Sequence, residues 1–538
     1  MTPRRVLILA VAVLLLHFVL IAPNHPRAVT LQAPLLFALE LPVILLALIV
    51  LRGWALRLLQ GALVAWLGTV SVVKLADMGT FMAYARPFDF AVDLHLLHAA
   101  WTLARGSFGT APTLLIVLGT LAGFVALVLA LVWAVRAWGA VTPGGAVRGL
   151  GAVALLPAAA LATTEAGQAM RGWSVPVDPP GAAFTARVGL ESAIRARTTA
   201  AALAQFDAAA QSDRMAAHDV ALLDATGDHD ILLTYIESYG RSSFENPLYV
   251  DTHVGRLRAI EAALAAEGLA MRSAWLTAPM VGGQSWLAHA SIASGTWVSD
   301  QGRYRALISS PRRTLFHFAQ EAGFHTAAVM PAHTIPWPEG DYFGFDTILN
   351  AADMGYEGEN YNWVTMPDQF SLKALDRLVR DPADDPVFAQ TALVSSHAPF
   401  LPVPPLIDWD EIGDGTVFNE WADDGDPPEE VWRDRDRVRE KFRIAVDYSL
   451  KVVGSYAERH ADDPPLMIVL GDHEPARFIA GVDGYDVPVH IIGPPELVDR
   501  TAPWGYSEGM VPDPDAPVWR MSQFRDAFLR AFSHAAPE

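Results

Sequence analysis

Cysteine is absent from this chain of 538 residues, which excludes disulfides, thiolate metal ligands and thiol redox chemistry. Basic residues are also scarce, because 39 Lys and Arg stand against 59 Asp and Glu, for a formal net charge of -20. Binding to nucleic acid or to a bulk anionic surface requires a basic face. The charge balance therefore argues against nucleic acid as a partner.

Charge of either sign is rare in the N-terminal part, which accounts for the low overall share of charged residues, 18%. The mean hydropathy of the chain is +0.25, which is too apolar for an ordinary soluble protein. Most of the apolar runs approach the roughly 20 residues needed to cross a bilayer. The runs cover residues 6–22, 32–51, 56–76, 113–135 and 149–163. The sequence thus predicts an α-helical transmembrane bundle of five spans in residues 1–164.

Arginines near these runs predict the orientation in the membrane. They fall before the first run, between the second and third, and between the fourth and fifth: Arg4, Arg5, Arg52, Arg57, Arg136 and Arg148. All of them lie on one side of the predicted bundle, which should be the cytoplasmic side. Five spans then leave the C-terminal domain outside the cytoplasm. The first span acts as an uncleaved signal anchor, with a cleaved signal peptide as the alternative.

The rest of the chain is predicted to be a linker followed by an α/β domain. Residues 165–228 are rich in Gly and Pro and then in Ala, and they are interpreted as linker helices. Residues 229–538 alternate short apolar runs with amphipathic patterns, which indicates a largely parallel sheet. The predicted strands are 231–236, 271–276, 325–330, 388–394, 466–470 and 487–492. The predicted helices include 252–267, 314–322, 368–380 and 438–457.

Polar side chains follow four of the predicted strands. Glu237 follows the first, Ser285 lies after the second, His397 after the fourth, and Asp472 with His473 after the fifth. In open α/β sheets, ligand-binding and catalytic residues lie beyond the carboxyl ends of the strands. Two carboxylates and an imidazole delivered in this way indicate a divalent metal ion. The sequence therefore predicts a metal-dependent enzyme.

Ser285 is the candidate nucleophile. Two glycines precede it and a helical pattern follows, so its hydroxyl would lie near a helix N-terminus that attracts anions. A divalent cation held by Glu237, Asp472 and His473 would lower the pKa of that hydroxyl. The alternative is that Ser285 is an ordinary N-cap, Glu237 a surface acid, and Asp472 an N-cap beside a polar neighbour.

Three further residues are candidates for substrate binding. His397 would donate to a bound phosphate or to the leaving oxygen, or else would be a loop histidine without a catalytic role. The loop Pro331–Pro338 holds His333 and Trp337, which would form a wall of the substrate pocket. Packing of Trp337 against the neighbouring prolines explains that residue equally well.

These motifs resemble the alkaline phosphatase and sulfatase superfamily. Within it, they resemble the membrane-anchored group of lipoteichoic acid synthase and the phosphoglycerol transferases. The similar segments are Ile236–Gly240 with its metal-binding Glu, Gly283–Ser285 as the nucleophile loop, Trp363–Phe370, Ser396–Phe400 with its substrate-binding His, and Gly471–His473 as the metal-binding pair. Lipoteichoic acid synthase has a threonine where this chain has Ser285. It also has an arginine two places after its pocket tryptophan, where this chain has Glu339.

The resemblance implies a sulfatase-like catalytic domain over residues 229–538, anchored in the bacterial inner membrane with its site outside the cytoplasm. It implies one divalent ion, expected to be Mn²⁺ with Mg²⁺ or Zn²⁺ as alternatives, held by Glu237, Ser285, Asp472 and His473. The expected activity is transfer of a phospho-headgroup, such as phosphoglycerol, from a phospholipid through a phosphoserine to a glycan or polymer acceptor. The alternatives are a phosphodiesterase or sulfatase, and a non-catalytic binding module that retains the fold.

Overall fold

A computed structural model describes residues 2–534, except for 85, 95, 98–99, 102–103, 106–108, 172, 174–178, 218–221, 335–336, 362–363 and 401. Two residues of the predicted substrate loop, Ile335 and Pro336, and Trp363 of the similar segments lie outside the described residues. The chain divides into two compact units. The first comprises Met1–Met82 and Arg86–Ala202, and the second Ala83–Ala85 and Leu203–Glu538.

The first unit is helical and strongly apolar. Among the described residues, four helices are long and apolar enough to cross a membrane: Pro3–Ile21, Gly53–Tyr84, Thr110–Gly139 and Gly145–Arg171. Their outward surfaces carry many exposed leucine and valine side chains, as expected for helices surrounded by lipid. The helix Phe184–Ala210 follows them within the predicted linker. The domain boundaries at residues 164 and 228 stay predictions.

The prediction of five spans is not confirmed, because the second predicted span, 32–51, is not one continuous helix. Its α-helix covers only Glu40–Val50, 11 residues, which is about 16 Å long and far shorter than a bilayer core. Short 3-10 turns, Pro26–Ala28 and Ala33–Leu35, precede it. Both turns contain proline, which lacks the amide hydrogen that a helix interior needs.

Lys74 is a buried cation within this apolar unit. Its ammonium donates to the carbonyl oxygens of Val19 (3.1 Å) and Leu20 (3.0 Å) and to the hydroxyl of Thr185 (2.7 Å). An ammonium has three donors, so these bonds satisfy all of them in surroundings where an unpaired charge is costly. Lys74 therefore ties two other helices of the unit to its own.

The described part of the second unit contains one sheet of nine strands. In chain order they are β1 (Ile231–Ile236), β2 (Ala270–Thr277), β3 (His325–Met330), β4 (Thr347–Asn350), β5 (Val387–Leu393), β6 (Leu466–Gly471), β7 (Asp486–Gly493), β8 (Ser507–Glu508) and β9 (Val518–Arg520). The spatial order is β4-β3-β5-β1-β6-β7-β2-β8, and β9 pairs with β2. All six predicted strands are present, within one residue at each end.

The directions of the strands determine which loops share an edge of the sheet. β1 is central and pairs in parallel with β5 and β6. β7 is antiparallel both to β6 and to β2, so β2 runs in the same direction as β1. The carboxyl ends of β1, β2, β5 and β6 therefore lie at one edge. The sheet is mixed at β7 and β8, where the sequence predicted only a largely parallel arrangement.

Helices cover both faces of the sheet and bury its apolar side chains. Every residue of β1 and β6 is buried, as expected for strands covered on both faces. Val250–Ala266 and Arg435–Arg459 contribute to the core on one face, and Ser285–Ser294 and Met521–Ala531 to the core on the other. Further helices are Gln301–Ile308, Leu315–Glu321 and Asp368–Leu375, the last of which continues as a π-helical turn, Asp376–Arg380. The four predicted helices agree with these bounds within three residues.

Gly471 ends β6 at a close approach of two backbone segments. A Cβ atom there would lie 1.7 Å from the carbonyl oxygen of Tyr239, a distance that no packing adjustment of a side chain can relieve. We expect Gly471→Ala to lower the free energy of unfolding by about 3 kcal/mol, because the backbone must shift. Thermal unfolding of the full chain in detergent, followed by tryptophan fluorescence, measures this loss.

Gly255 is the matched control for this substitution. It lies inside the helix Val250–Ala266, and a Cβ there would meet nothing within 4 Å. Gly255→Ala should therefore leave stability unchanged or raise it by roughly 0.5–1 kcal/mol, since alanine restricts the unfolded chain. Equal unfolding temperatures for Gly471→Ala and Gly255→Ala would contradict the steric account.

Candidate metal centre

Glu237, Asp472 and His473 come together at the carboxyl edge of the sheet. β1 and β6 are paired so that Ile236 lies opposite Gly471, and each strand is followed at once by its polar residue. One ligand atom from each of the three side chains lies within 4.8 Å of the others, and all three residues are buried. Strand pairing alone thus places the predicted ligands within reach of a single ion.

Hydrogen bonds fix the orientation of the two ligands from the β6 loop. Asp472 Oδ1 accepts from the backbone N–H of Ser238 (2.8 Å) and of His473 (2.7 Å), which leaves Oδ2 directed towards the cluster. His473 Nδ1 lies 2.9 Å from the carbonyl oxygen of Glu474. Its Nε2 then lies 3.3 Å from Glu237 Oε1 and 3.8 Å from Asp472 Oδ2. A histidine whose Nδ1 donates to a carbonyl presents Nε2 as a metal ligand.

The electrostatics of the cluster fit a bound cation. Burial, together with the nearby Glu237, raises the pKa of Asp472, because two buried carboxylates repel each other. Burial lowers the pKa of His473, but the two carboxylates outweigh this and raise it. Burial also raises the pKa of Glu237, and the charges of His397 and His473 lower it well below its ordinary value. The site therefore concentrates negative charge that a divalent cation would balance.

Ser285 places its hydroxyl against this cluster. It is the first residue of the helix Ser285–Ser294, after Gly282, Gly283 and Gln284, all with positive φ. Its Oγ donates to Glu237 Oε2 (3.0 Å) and lies 3.3 Å from His473 Nε2. Gln284, and not Ser285, occupies the N-cap position. The serine hydroxyl is thus directed at the candidate ligands while the helix N-terminus faces the same region.

The loop after β5 brings His397 to the same site. Ser396 Oγ donates to the carbonyl oxygen of Glu237 (2.6 Å), which fastens this loop to the end of β1. His397 is half-buried, its Nδ1 lies 2.8 Å from the carbonyl oxygen of Ala398, and its charge acts on Glu237. The role of His397 in proton transfer or substrate binding stays a prediction.

His333 and Trp337 pack against each other, with ring centroids 5.3 Å apart at 77°. Trp337 also packs against Phe343 (5.4 Å between ring centroids) and Phe345 (6.2 Å), so it belongs to an aromatic cluster. His333 Nδ1 is buried and has no hydrogen-bond partner among the described residues. Burial lowers the pKa of His333, which favours a neutral imidazole. Their role in substrate binding stays a prediction.

His289 is a site residue that the sequence reasoning missed. Its ring lies against that of Tyr235, with centroids 3.9 Å apart and planes tilted by 35°, and its charged form would interact with Glu237, His333 and His473. Burial lowers its pKa to about 3, so the ring is neutral. Its Nε2 is buried without a partner among the described residues. The spacing of four residues from Ser285 was the available signal, because it puts both side chains on one helix face.

Glu474 was also missed, although it directly follows His473. Its carboxylate accepts from the backbone N–H (2.8 Å) and the hydroxyl (2.7 Å) of Ser242, and so joins the loops after β1 and β6. A Cβ on Gly240 would lie 2.1 Å from Glu474 Oε2, which explains the glycine there. Burial raises the pKa of Glu474 to about 7.

Residues 258–491 match the Sulfatase family model. The chain therefore carries a sulfatase-family domain. This is an enzyme domain of the metal-dependent alkaline phosphatase superfamily, and the matched residues include Ser285, His397, Asp472 and His473. The resemblance inferred from the motifs is confirmed at this level. No curated protein matches the chain.

Several solved structures are similar to the chain at low identity. The lipoteichoic acid synthase LtaP from Listeria monocytogenes is 14% identical over 62% of this chain and 78% of that chain, with a TM-score of 0.38. The Streptococcus pyogenes phosphoglycerol transferase GacH is 14% identical over 63% and 81%, with a TM-score of 0.39. The lipooligosaccharide phosphoethanolamine transferase A (EptA) from Neisseria meningitidis is 11% identical over 98% and 97%, with a TM-score of 0.48.

Proposed function

We propose that the protein is a membrane-anchored, metal-dependent phosphotransferase. It takes a phospho-headgroup from a phospholipid onto Ser285 and passes it to an envelope glycan or polymer. The observation that carries this proposal is the position of Ser285 Oγ, within hydrogen-bond distance of both Glu237 and His473 at a helix N-terminus. A serine so placed has an activating centre on one side and an anion-binding helix end on the other.

Glu237, Asp472, His473 and Ser285 would hold one divalent ion, proposed to be Mn²⁺. When bound, the ion would polarise the phosphoryl oxygen and lower the pKa of the serine hydroxyl. Carboxylate ligands also suit Mg²⁺, and imidazole also suits Zn²⁺.

The chain's own residues account for bond making and proton transfer. Ser285 Oγ forms the bond to phosphorus while the bond to the diacylglycerol oxygen breaks, and the serine proton leaves through Glu237 Oε2. His397 gives a proton to the departing diacylglycerol oxygen. In the second step an acceptor hydroxyl attacks phosphorus and gives its proton to His397. Ser285 Oγ then leaves and takes its proton back from Glu237 Oε2, which restores the starting state.

The protein is proposed to lie in a bacterial inner membrane with its site on the side away from the cytoplasm. A phospholipid donor would be bound there from the bilayer surface. The one-sided arginines support this orientation, which requires an odd number of crossings. Four crossings would leave both ends of the chain on one side, so we propose a fifth crossing that combines the preceding residues with the short helix Glu40–Val50. Its Ile44 and Leu48 are buried, and Val50 approaches Gly151 of the last long helix, where a Cβ would lie 3.4 Å away.

The test is product analysis with the full chain in vesicles that contain phospholipid labelled in its headgroup. With Mn²⁺ and a glycan acceptor, diacylglycerol release and labelling of the acceptor should rise together, and a labelled protein intermediate should appear at Ser285. Release of free headgroup at the same rate without acceptor would identify a phosphodiesterase instead. Turnover of a sulfate ester but not of phospholipid would identify a sulfatase.

A further inference from the structure

Asp368 is a buried residue outside the metal cluster. Both oxygens of its carboxylate accept hydrogen bonds. It is the first residue of the helix Asp368–Leu375, and its side chain is inaccessible to solvent. Its Oδ1 accepts from two consecutive backbone amides, Val394 N–H (2.7 Å) and Ser395 N–H (2.8 Å). Its Oδ2 accepts from Ser449 Oγ (2.6 Å), and its own N–H donates to Ser395 Oγ (3.0 Å).

The two amides belong to the segment that leads from β5 to His397. Within that segment the N–H of His397 donates to the carbonyl oxygen of Val394 (3.0 Å), which closes a turn. The next contact along the chain is Ser396 Oγ with the carbonyl oxygen of Glu237 (2.6 Å). The turn is therefore held from one side by Asp368 and from the other by the metal-ligand strand.

Burying a carboxylate is costly, and hydrogen bonds offset part of that cost for Asp368. Burial raises the pKa of Asp368, and the bonds from Ser449, Ser395 and Val394 lower it again without fully offsetting burial. The N-terminus of its own helix also favours a negative charge. A carboxylate oxygen that accepts two consecutive amides fixes the backbone more tightly than any apolar side chain could.

We propose that Asp368 is a positioning residue that sets the place of His397 at the reacting phosphoryl group through the amides of Val394 and Ser395. This inference rests on the proposed function, in which His397 transfers protons. It assigns to the Pro367–Gln369 segment a role in the reaction, although none of its side chains reaches the metal cluster.

Two variants separate positioning from simple folding. Asp368→Ala removes the acceptor, whereas Asp368→Asn keeps Oδ1 as the acceptor of both amides and can donate from Nδ2 to Ser449 Oγ. We expect Asp368→Ala to lower kcat by roughly 100-fold, the effect expected for loss of a general acid, with KM and metal content near wild type. Asp368→Asn should recover activity to within about 3-fold of wild type.

A double-mutant cycle with His397→Ala shows whether the effect passes through His397. If it does, Asp368→Ala combined with His397→Ala should be no slower than His397→Ala alone, within about 2-fold. Asp376→Ala is the matched control, because Asp376 is likewise buried and bonded to Tyr456, Arg380 and His460. Its effect should multiply with that of His397→Ala. Multiplying effects for Asp368→Ala, or no recovery in Asp368→Asn, would overturn the proposal.

Hydrogen exchange supplies a readout that does not depend on the substrate. Amides in residues 393–400 should exchange faster in Asp368→Ala than in wild type and at the wild-type rate in Asp368→Asn. Unchanged exchange in Asp368→Ala would overturn the proposal whatever the activity. If wild type fails to use phospholipid, the proposed function fails, and the cycle is measured instead on cleavage of bis(p-nitrophenyl) phosphate. The rates of that cleavage in the single and double variants then test the positioning role by the same criteria.

Discussion

Ser285→Ala is expected to abolish headgroup transfer, with a loss of at least about 10³-fold, because the variant lacks the hydroxyl that would form the covalent bond to phosphorus. The variant should remain folded and should still bind metal, since Glu237, Asp472 and His473 keep their mutual contacts. The measurements are diacylglycerol release from labelled phospholipid, metal content and unfolding temperature. Undiminished release would remove Ser285 from the mechanism.

Two further variants test whether the loss is due to the hydroxyl of Ser285. Ser285→Thr keeps a hydroxyl at the same position and should retain part of the activity. Ser291→Ala is the matched control on the same helix. Its hydroxyl donates to the carbonyl oxygen of Leu287 (2.7 Å) and accepts from the N–H of Val298 (3.0 Å), with no contact to the metal cluster. Ser291→Ala should leave the rate near wild type.

Asp472→Asn is expected to weaken metal binding by at least roughly 100-fold and to lower activity to the level of a metal-free enzyme. Asparagine can still accept from Ser238 N–H and His473 N–H through one oxygen, so the loop keeps its shape. What the variant loses is the negative charge directed at the ion. Calorimetric titration with Mn²⁺ and activity at increasing Mn²⁺ measure the change.

Stability gives an independent check on the same variant. A ligand that binds only the folded state at 100 times its dissociation constant adds about 2.7 kcal/mol to the free energy of unfolding. Mn²⁺ should therefore raise the unfolding temperature of wild type but not that of Asp472→Asn. Asp447→Asn is the control, because Asp447 lies in the helix Arg435–Arg459 and pairs with Arg256 and Lys451. Wild-type affinity for Mn²⁺ in Asp472→Asn would exclude Asp472 as a ligand.

The two predictions concern different parts of one site, and their results are separable. Loss of Ser285 should stop chemistry with metal in place, whereas loss of the Asp472 charge should stop chemistry by removing the metal. A domain that binds no divalent ion in its wild-type form would contradict both. Such a result would leave the fold as a binding module.

The sequence predicted the strands of the catalytic domain well, because they are continuous apolar runs bounded by polar residues. β1 and β3 begin and end at the predicted residues. It was less successful with the membrane part, where hydropathy at 32–51 looked like a full span. Proline-containing turns shorten that helix to Glu40–Val50, which a hydropathy average does not register.

The sequence by itself determined the apolar N-terminal part, the alternating strands and helices, and the polar residues that end four strands. Only the tertiary structure decided which of these residues meet. Because β7 is antiparallel to both β6 and β2, β2 runs in the same direction as β1, and Ser285 after β2 comes to within 3.0 Å of Glu237. The role inferred for Asp368 was likewise invisible, because its partners lie 26 to 81 residues away along the chain. Hydrogen bonds over such separations depend on how strands and helices pack, and no local pattern encodes them.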